Sequence, residues 1–181
     1  MDSKKKVAEY IGAENWKEII YSFNSTYASN LLVTSLRRSG YFQKGDKVLV
    51  SIVEHHANVV PWLILAEEVG VEVEYIRVHE DFSLDFEDLA SKLDDRVKAV
   101  SLTHVSNVTG EIFDLERVNH LLSERYPPLT PPYQGGEENI PPLTRGRQGG
   151  GRPLFIVDAS QSVPHMAVDV QKIGCDFLFF T

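Results

Sequence analysis

Cysteine is nearly absent: Cys175 is the single one in 181 residues. A lone cysteine excludes a disulfide within the chain and any zinc ribbon built on paired thiolates. Basic residues are outnumbered 18 to 26, a net charge of −8, which argues against nonspecific binding to nucleic acid or to anionic membranes. Long apolar runs are missing too, so nothing reads as a bilayer span. Lys4, Lys5 and Lys6 lead into a mixed helical pattern rather than the apolar segment of a signal peptide. Together these absences predict a reducing, cytoplasmic setting with no membrane and no nucleic-acid partner. What is present is globular composition, 43% hydrophobic and 24% charged, at the length of one ordinary domain.

The hydrophobic pattern alternates between two periods. Val7 and Ile11 share a helix face, and Ile19 to Phe23 reads as a short strand. Thr26 to Arg38 has helical spacing at Leu31, Leu32 and Leu36 and closes near Gly40. Lys47 to Val53 is strand-like, with Asn58 as the expected cap and Pro61 in the expected first turn of a helix ending at Gly70. Val71 to Val78 reads as a strand, and Asp85 with Asp88 opens a helix that turns Leu89 and Leu93 inward. Val97 to Thr103 is a strand, Asp114 caps a helix to about Tyr126, and Leu154 to Val157 is a strand ending at Asp158. A short helix over Val168 to Ile173 precedes a last strand, Phe177 to Phe180. Strands alternating with helices predict an α/β domain around a mainly parallel sheet.

Residues 127–151 break this rhythm. They are rich in proline and glycine, and they repeat: Pro127-Pro128-Leu129-Thr130 returns as Pro141-Pro142-Leu143-Thr144, an offset of 141 − 127 = 14 residues. The expectation is a disordered, duplicated insertion in a surface connection, where added length costs little closure entropy. A proline-rich ligand for a partner domain is the alternative.

In open parallel sheets, ligands gather at the carboxyl ends of the strands. Four polar clusters follow expected strands: Asn24-Ser25-Thr26, Glu54-His55-His56-Ala57-Asn58, His104-Val105-Ser106-Asn107 and Asp158-Ala159-Ser160-Gln161. Singly, each has a plain explanation. Thr26 or Asp158 can cap a helix, and Asn107 before Gly110 can be turn chemistry. Adjacent His55 and His56 diverge and lack the spacing of a zinc pair. Jointly they suit one ligand. A helix start with Ser25 and Thr26 offers N–H groups and hydroxyls to a phosphate. An imidazole stacks on a flat ring, a buried Asp keeps a ring nitrogen protonated, and Asn107 and Gln161 reach a ring hydroxyl. Those features describe pyridoxal 5'-phosphate.

The runs Glu54-His55-His56-Ala57-Asn58-Val59-Val60-Pro61-Trp62, Thr103-His104-Val105-Ser106-Asn107-Val108-Thr109-Gly110 and Val157-Asp158-Ala159-Ser160-Gln161-Ser162-Val163-Pro164-His165 resemble the class V aminotransferase family. Within it they are most similar to the cysteine desulfurase and selenocysteine lyase branch that serves iron–sulfur assembly. The resemblance implies the large domain of fold-type I pyridoxal phosphate enzymes, three layers α/β/α, present in part over residues 1–181. It implies that His55 stacks on the cofactor and shuttles protons, and that Asp158 holds the pyridine nitrogen. Gln161 and Asn107 lie at the ring hydroxyl, and Ser25, Thr26 and Thr181 at the phosphate. It implies L-cysteine as substrate, a homodimeric parent, and a sulfur-acceptor protein as partner. No metal is implied.

The departures from that family are also informative. Its pattern continues past Thr181 with a His and the Schiff-base Lys, and its nucleophilic cysteine lies farther on. The chain is therefore expected to be a piece of such an enzyme, not competent alone. Lys172 reads as a solvated charge and Cys175 as a small buried residue. Thr26-Tyr27 replaces the usual Thr-Glu, which keeps a transaminase, an epimerase or another lyase open as alternatives. A non-catalytic truncated protein is a further one.

Overall fold

The computed structural model describes residues 2–127 and 151–181; the repeat expected at 127–151 lies almost wholly outside the described residues. Five parallel strands form one sheet: β1 (Lys47–Ser51), β2 (Glu72–Ile76), β3 (Val97–Thr103), β4 (Leu154–Asp158) and β5 (Phe177–Phe179), in the order β2-β1-β3-β4-β5. Every residue of β1 and β4 is buried. Near-continuous apolar runs are what a strand covered on both faces requires. Edge strand β2 exposes Glu72 and Tyr75.

Successive residues of β1 serve opposite faces. Leu49 joins the core under α1 (Ser3–Ile11), α4 (Phe86–Lys92), α5 (Leu115–Arg125) and α6 (Val170–Ile173), together with Val100, Leu102, Phe155 and Val157. Val48 and Val50 join the other core, under α2 (Ser25–Arg38) and α3 (His56–Val69), with Ala99, Ile156 and Trp62. The result is the expected three-layer α/β/α arrangement.

Three local expectations need correction. Residues 19–23 are not a strand: a single 3-10 turn, Trp16–Glu18, is followed by chain that pairs with no strand among the described residues. Ile19 is buried, but Ile20 and Phe23 stand exposed. This segment and β5 both line an apolar groove of about 550 Å³. Apolar alternation makes a strand only where a neighbour offers backbone partners, and no strand among the described residues pairs with this segment. The second correction concerns α3. His55, not Asn58, is its N-cap, through Nδ1 accepting from the Ala57 N–H at 3.1 Å. Helix α3 thus starts earlier than expected, and Pro61 falls inside it rather than in its first turn. Third, Asn24 rather than Thr26 caps α2, its side chain accepting from the Tyr27 N–H at 2.8 Å. Smaller shifts follow from hydrogen bonding, since β1 stops at Ser51 and α6 starts only after its cap Asp169.

Candidate active site

Three of the four clusters follow β1, β3 and β4 at the carboxyl edge of the sheet, and the fourth opens α2, whose cap Asn24 lines a groove together with Thr181 just beyond β5. The chain leaves β1 toward β2 on one side and later places β3 on the other side of β1. This reversal of direction opens a crevice between β1 and β3, where ligands of doubly wound sheets bind.

At the end of β1 the Glu54 carboxylate occupies that crevice. Its Oε1 accepts from Ser51 Oγ at 2.6 Å and from the Thr103 N–H of β3 at 2.9 Å. Its Oε2 accepts from Asn58 Nδ2 at 2.7 Å, and Asn58 Oδ1 accepts from Ser101 Oγ at 2.7 Å. Burial pushes the Glu54 pKa up to about 7; the bonds from Ser51, Asn58 and Thr103 pull the other way, and the charge of Asp158 adds to the rise. His55 follows directly. Its Nδ1 serves as the acceptor at the cap, which leaves the ring proton on Nε2, and the residue is exposed.

Asp158 ends β4 and stands opposite Thr103 in the ladder. It is 4% exposed. Oδ1 accepts from the Ser160 N–H at 2.9 Å and from Ser160 Oγ at 2.6 Å, while Oδ2 has no hydrogen-bond partner among the described residues. The helix that a strand-end Asp would ordinarily cap begins only at Val170, with Asp169 as its cap. Gln161, three residues on, is exposed.

The turn after β3 is built around Ser106, whose Oγ accepts from the Val108 and Thr109 N–H groups at 3.3 Å. The bridge Val105↔Ile112 closes the turn, and Gly110 takes the left-handed conformation it needs at φ 75°. Asn107 is left exposed at its tip. His104, just before, is buried with Nδ1 unpartnered, and desolvation lowers its pKa.

Ser25 and Thr26 open the fourteen-residue α2. With Tyr27 N–H taken by Asn24, the N–H groups of Ser25 and Thr26 have no partner among the described residues and face the positive end of the helix dipole. Asn24 and Thr181 line the same groove, so the start of α2 and the end of β5 are neighbours. Lys172 is exposed, and Cys175 is partly buried with its thiol pushed up to about 12 by burial and by the charge of Asp176. A thiol so seldom ionised is a poor nucleophile.

The roles of Glu54, Asn58 and Ser101 were not legible as such. Glu54 carried one signal, an acid shortly after a fully buried strand, where a charge stays only if it is bonded.

The aminotransferase class-V model matches residues 1–126 and 141–181. The unmatched stretch, 127–140, is fourteen residues long, one period of the repeat. A cysteine desulfurase of Pectobacterium atrosepticum is 33% identical over 178 residues, 98% of this chain and 37% of the relative. A probable cysteine desulfurase of Pyrococcus abyssi is 34% identical over 180 residues, 99% of this chain and 37% of the relative. Among solved structures, the cysteine desulfurase CsdA of Escherichia coli superposes with a TM-score of 0.80 at 27% identity, covering 98% of this chain and 38% of that one. The apo cysteine desulfurase of Thermococcus onnurineus NA1 does so with a TM-score of 0.79 at 31% identity, covering 99% and 37%. The chain thus spans a little over a third of the length of these relatives, and it belongs to the class V aminotransferase family.

Proposed function

We propose that this chain forms the pyridoxal phosphate pocket of a cysteine desulfurase. One observation carries the reading: Asp158 is a buried carboxylate at a strand end, bonded on Oδ1 and unpartnered on Oδ2. With Oδ1 held by Ser160, Oδ2 is left as the acceptor that a protonated ring nitrogen can engage. The remaining donors suit the rest of the cofactor. Ser25 and Thr26 offer unpaired N–H groups and hydroxyls to the phosphate at the start of α2. Thr181, beside them, adds a hydroxyl. Exposed Asn107 and Gln161 serve the ring hydroxyl, and His55, with its proton on Nε2, lies against the ring and moves protons there.

When bound, pyridoxal phosphate supplies a protonated pyridine that draws electrons from the carbon next to a substrate amino group. The part of this chain is to hold the proton on the ring nitrogen at Asp158 and to anchor the phosphate at α2. The names of the relatives support L-cysteine as substrate. Beyond that, the family resemblance supports a homodimeric, cytoplasmic protein that passes sulfur to an acceptor protein for iron–sulfur assembly. No helix among the described residues is long and apolar enough to cross a membrane.

Titrating the chain with pyridoxal phosphate, followed by the cofactor's absorbance, tests the pocket. Saturable binding is expected, weakened at least about tenfold by Asp158→Ala, the scale of leaving a buried charged partner unmet. Equal affinity in the variant, or no saturation in the parent chain, refutes the reading.

A further inference from the structure

Glu54 has no part in the function just proposed, yet it is the most heavily bonded carboxylate on the carboxyl edge. Its two oxygens take three donors from three elements: Ser51 from β1, Asn58 from α3 and the Thr103 N–H from β3. The last of these matters most. Strand β1 ends at Ser51, so beyond it β3 has no strand neighbour on that side. The Glu54 side chain takes the place of the missing strand. On its other side Thr103 is paired with Asp158, and the next residue, His104, donates its N–H to the Asp158 carbonyl at 2.9 Å. In the other direction, Glu54 is joined through one peptide bond to His55, the cap of α3. One carboxylate therefore lies between the two groups that flank the expected cofactor ring.

We propose that Glu54 is the positioning residue of the site, fixing the turn that carries His55 against the strand pair that carries Asp158. The inference rests on the reading of His55 and Asp158 as cofactor-facing groups. A carboxylate suits this place because three donors converge on it and it offers only acceptors. Its surroundings also tolerate a proton. Asp158 from β4 is the charge that acts on it through space, and with burial it brings Glu54 to titrate at about 7. When Glu54 is protonated, the Ser51 hydroxyl can turn and accept, so the turn stays closed while one negative charge leaves the crevice. A glutamine can be accommodated as well. If the Asn58 amide flips, its oxygen accepts from the Gln nitrogen and its nitrogen donates to Ser101 Oγ, while Thr103 keeps its acceptor.

These alternatives separate position from charge. In ¹⁵N-labelled chain without cofactor, Glu54→Ala is expected to lower the exchange protection of the Thr103 amide at least about tenfold, and Glu54→Gln to hold it within about threefold. The Thr103 amide shift should titrate with a midpoint near 7 in the parent chain and not in Glu54→Gln. A side chain that only filled space would show neither the rescue nor the titration. On the same proteins, pyridoxal phosphate affinity should fall about tenfold for Glu54→Ala and stay near the parent value for Glu54→Gln. Unchanged Thr103 protection in Glu54→Ala overturns the inference, as does a Thr103 amide that does not respond to pH in the parent chain. If Glu54→Ala fails to fold, the comparison of parent and Glu54→Gln still decides. If no protein binds the cofactor, the proposed function fails, while the Thr103 measurements still judge Glu54.

Discussion

Gly174 illustrates how tightly single positions are set at the amino end of the sheet, ahead of β5. It ends α6 in the left-handed conformation, φ 68°, which only glycine adopts without strain. A Cβ there would run into the side chain of Asn119 on α5. Asn119 cannot easily yield, because its Oδ1 accepts from Arg152 Nη2 at 2.7 Å, and the same nitrogen donates to the Gly174 carbonyl at 3.1 Å. Gly110 has a similar φ of 75° but open space around it. Gly110→Ala should cost about 1 kcal/mol, the strain alone, and Gly174→Ala about 2–3 kcal/mol, strain plus displacement of a bonded amide. Urea unfolding of the two variants measures the difference; equal losses would mean that Asn119 moves freely.

At the scale of elements, α3 shows what patterns reveal and what they miss. Its end at Gly70 was legible. Its start was not. Asn58 is a strong capping residue by type, but the structure uses it as a strut, fully buried between Glu54 and Ser101. A tertiary bond to a strand more than forty residues away overrides a local preference. Asn58→Ala should therefore cost more than a lost cap. It leaves Ser101 Oγ without its acceptor and Glu54 Oε2 without its donor, a loss of about 2–4 kcal/mol in chemical denaturation. A loss near 1 kcal/mol, the worth of an ordinary cap, would contradict the strut. Residues 19–23 teach the converse. Their apolar content was read correctly, but a strand needs a neighbour's backbone as well as its own side chains. The inner strands β1, β3 and β4 were legible because they are buried on both faces, and burial is what a hydrophobic run records. Asp158 and the polar clusters were legible because polar residues that directly follow such runs break the pattern. The Glu54 network was not, because Asn58 on α3 and Ser101 and Thr103 on β3 lie on two segments that only the fold brings together.

For the molecule as a whole, the same carboxylate sets a dependence of stability on pH. Glu54 titrates at about 7 when folded, against 4.5 as its ordinary value. The folded state therefore binds a proton more tightly than the unfolded state between those limits, so stability rises as pH falls through that window. Asp176, also raised by burial against the bond from the Phe155 N–H and the charge of Arg152, acts in the same direction. Asp88 and Asp94 act oppositely and at lower pH. Burial pushes each up, but bonds from Lys92 and the Arg77 N–H to Asp88, and from Lys47 and the Arg96 N–H to Asp94, carry both below the ordinary 3.8. Their contribution is present above 3.8 and is lost as pH falls through their folded values. Through Glu54 alone the chain should lose on the order of 2–3 kcal/mol from about pH 5 to pH 8. His104, whose pKa desolvation lowers, acts the other way and costs stability as pH falls below its ordinary 6.5. Glu54→Gln keeps the bonds but not the titration, so its stability should fall much less from about pH 5 to pH 8, leaving the shares that Asp176 and His104 carry. Guanidinium unfolding at a series of pH values decides. If parent and variant lose stability in parallel between pH 5 and 8, Glu54 is already ionised in the fold across that range.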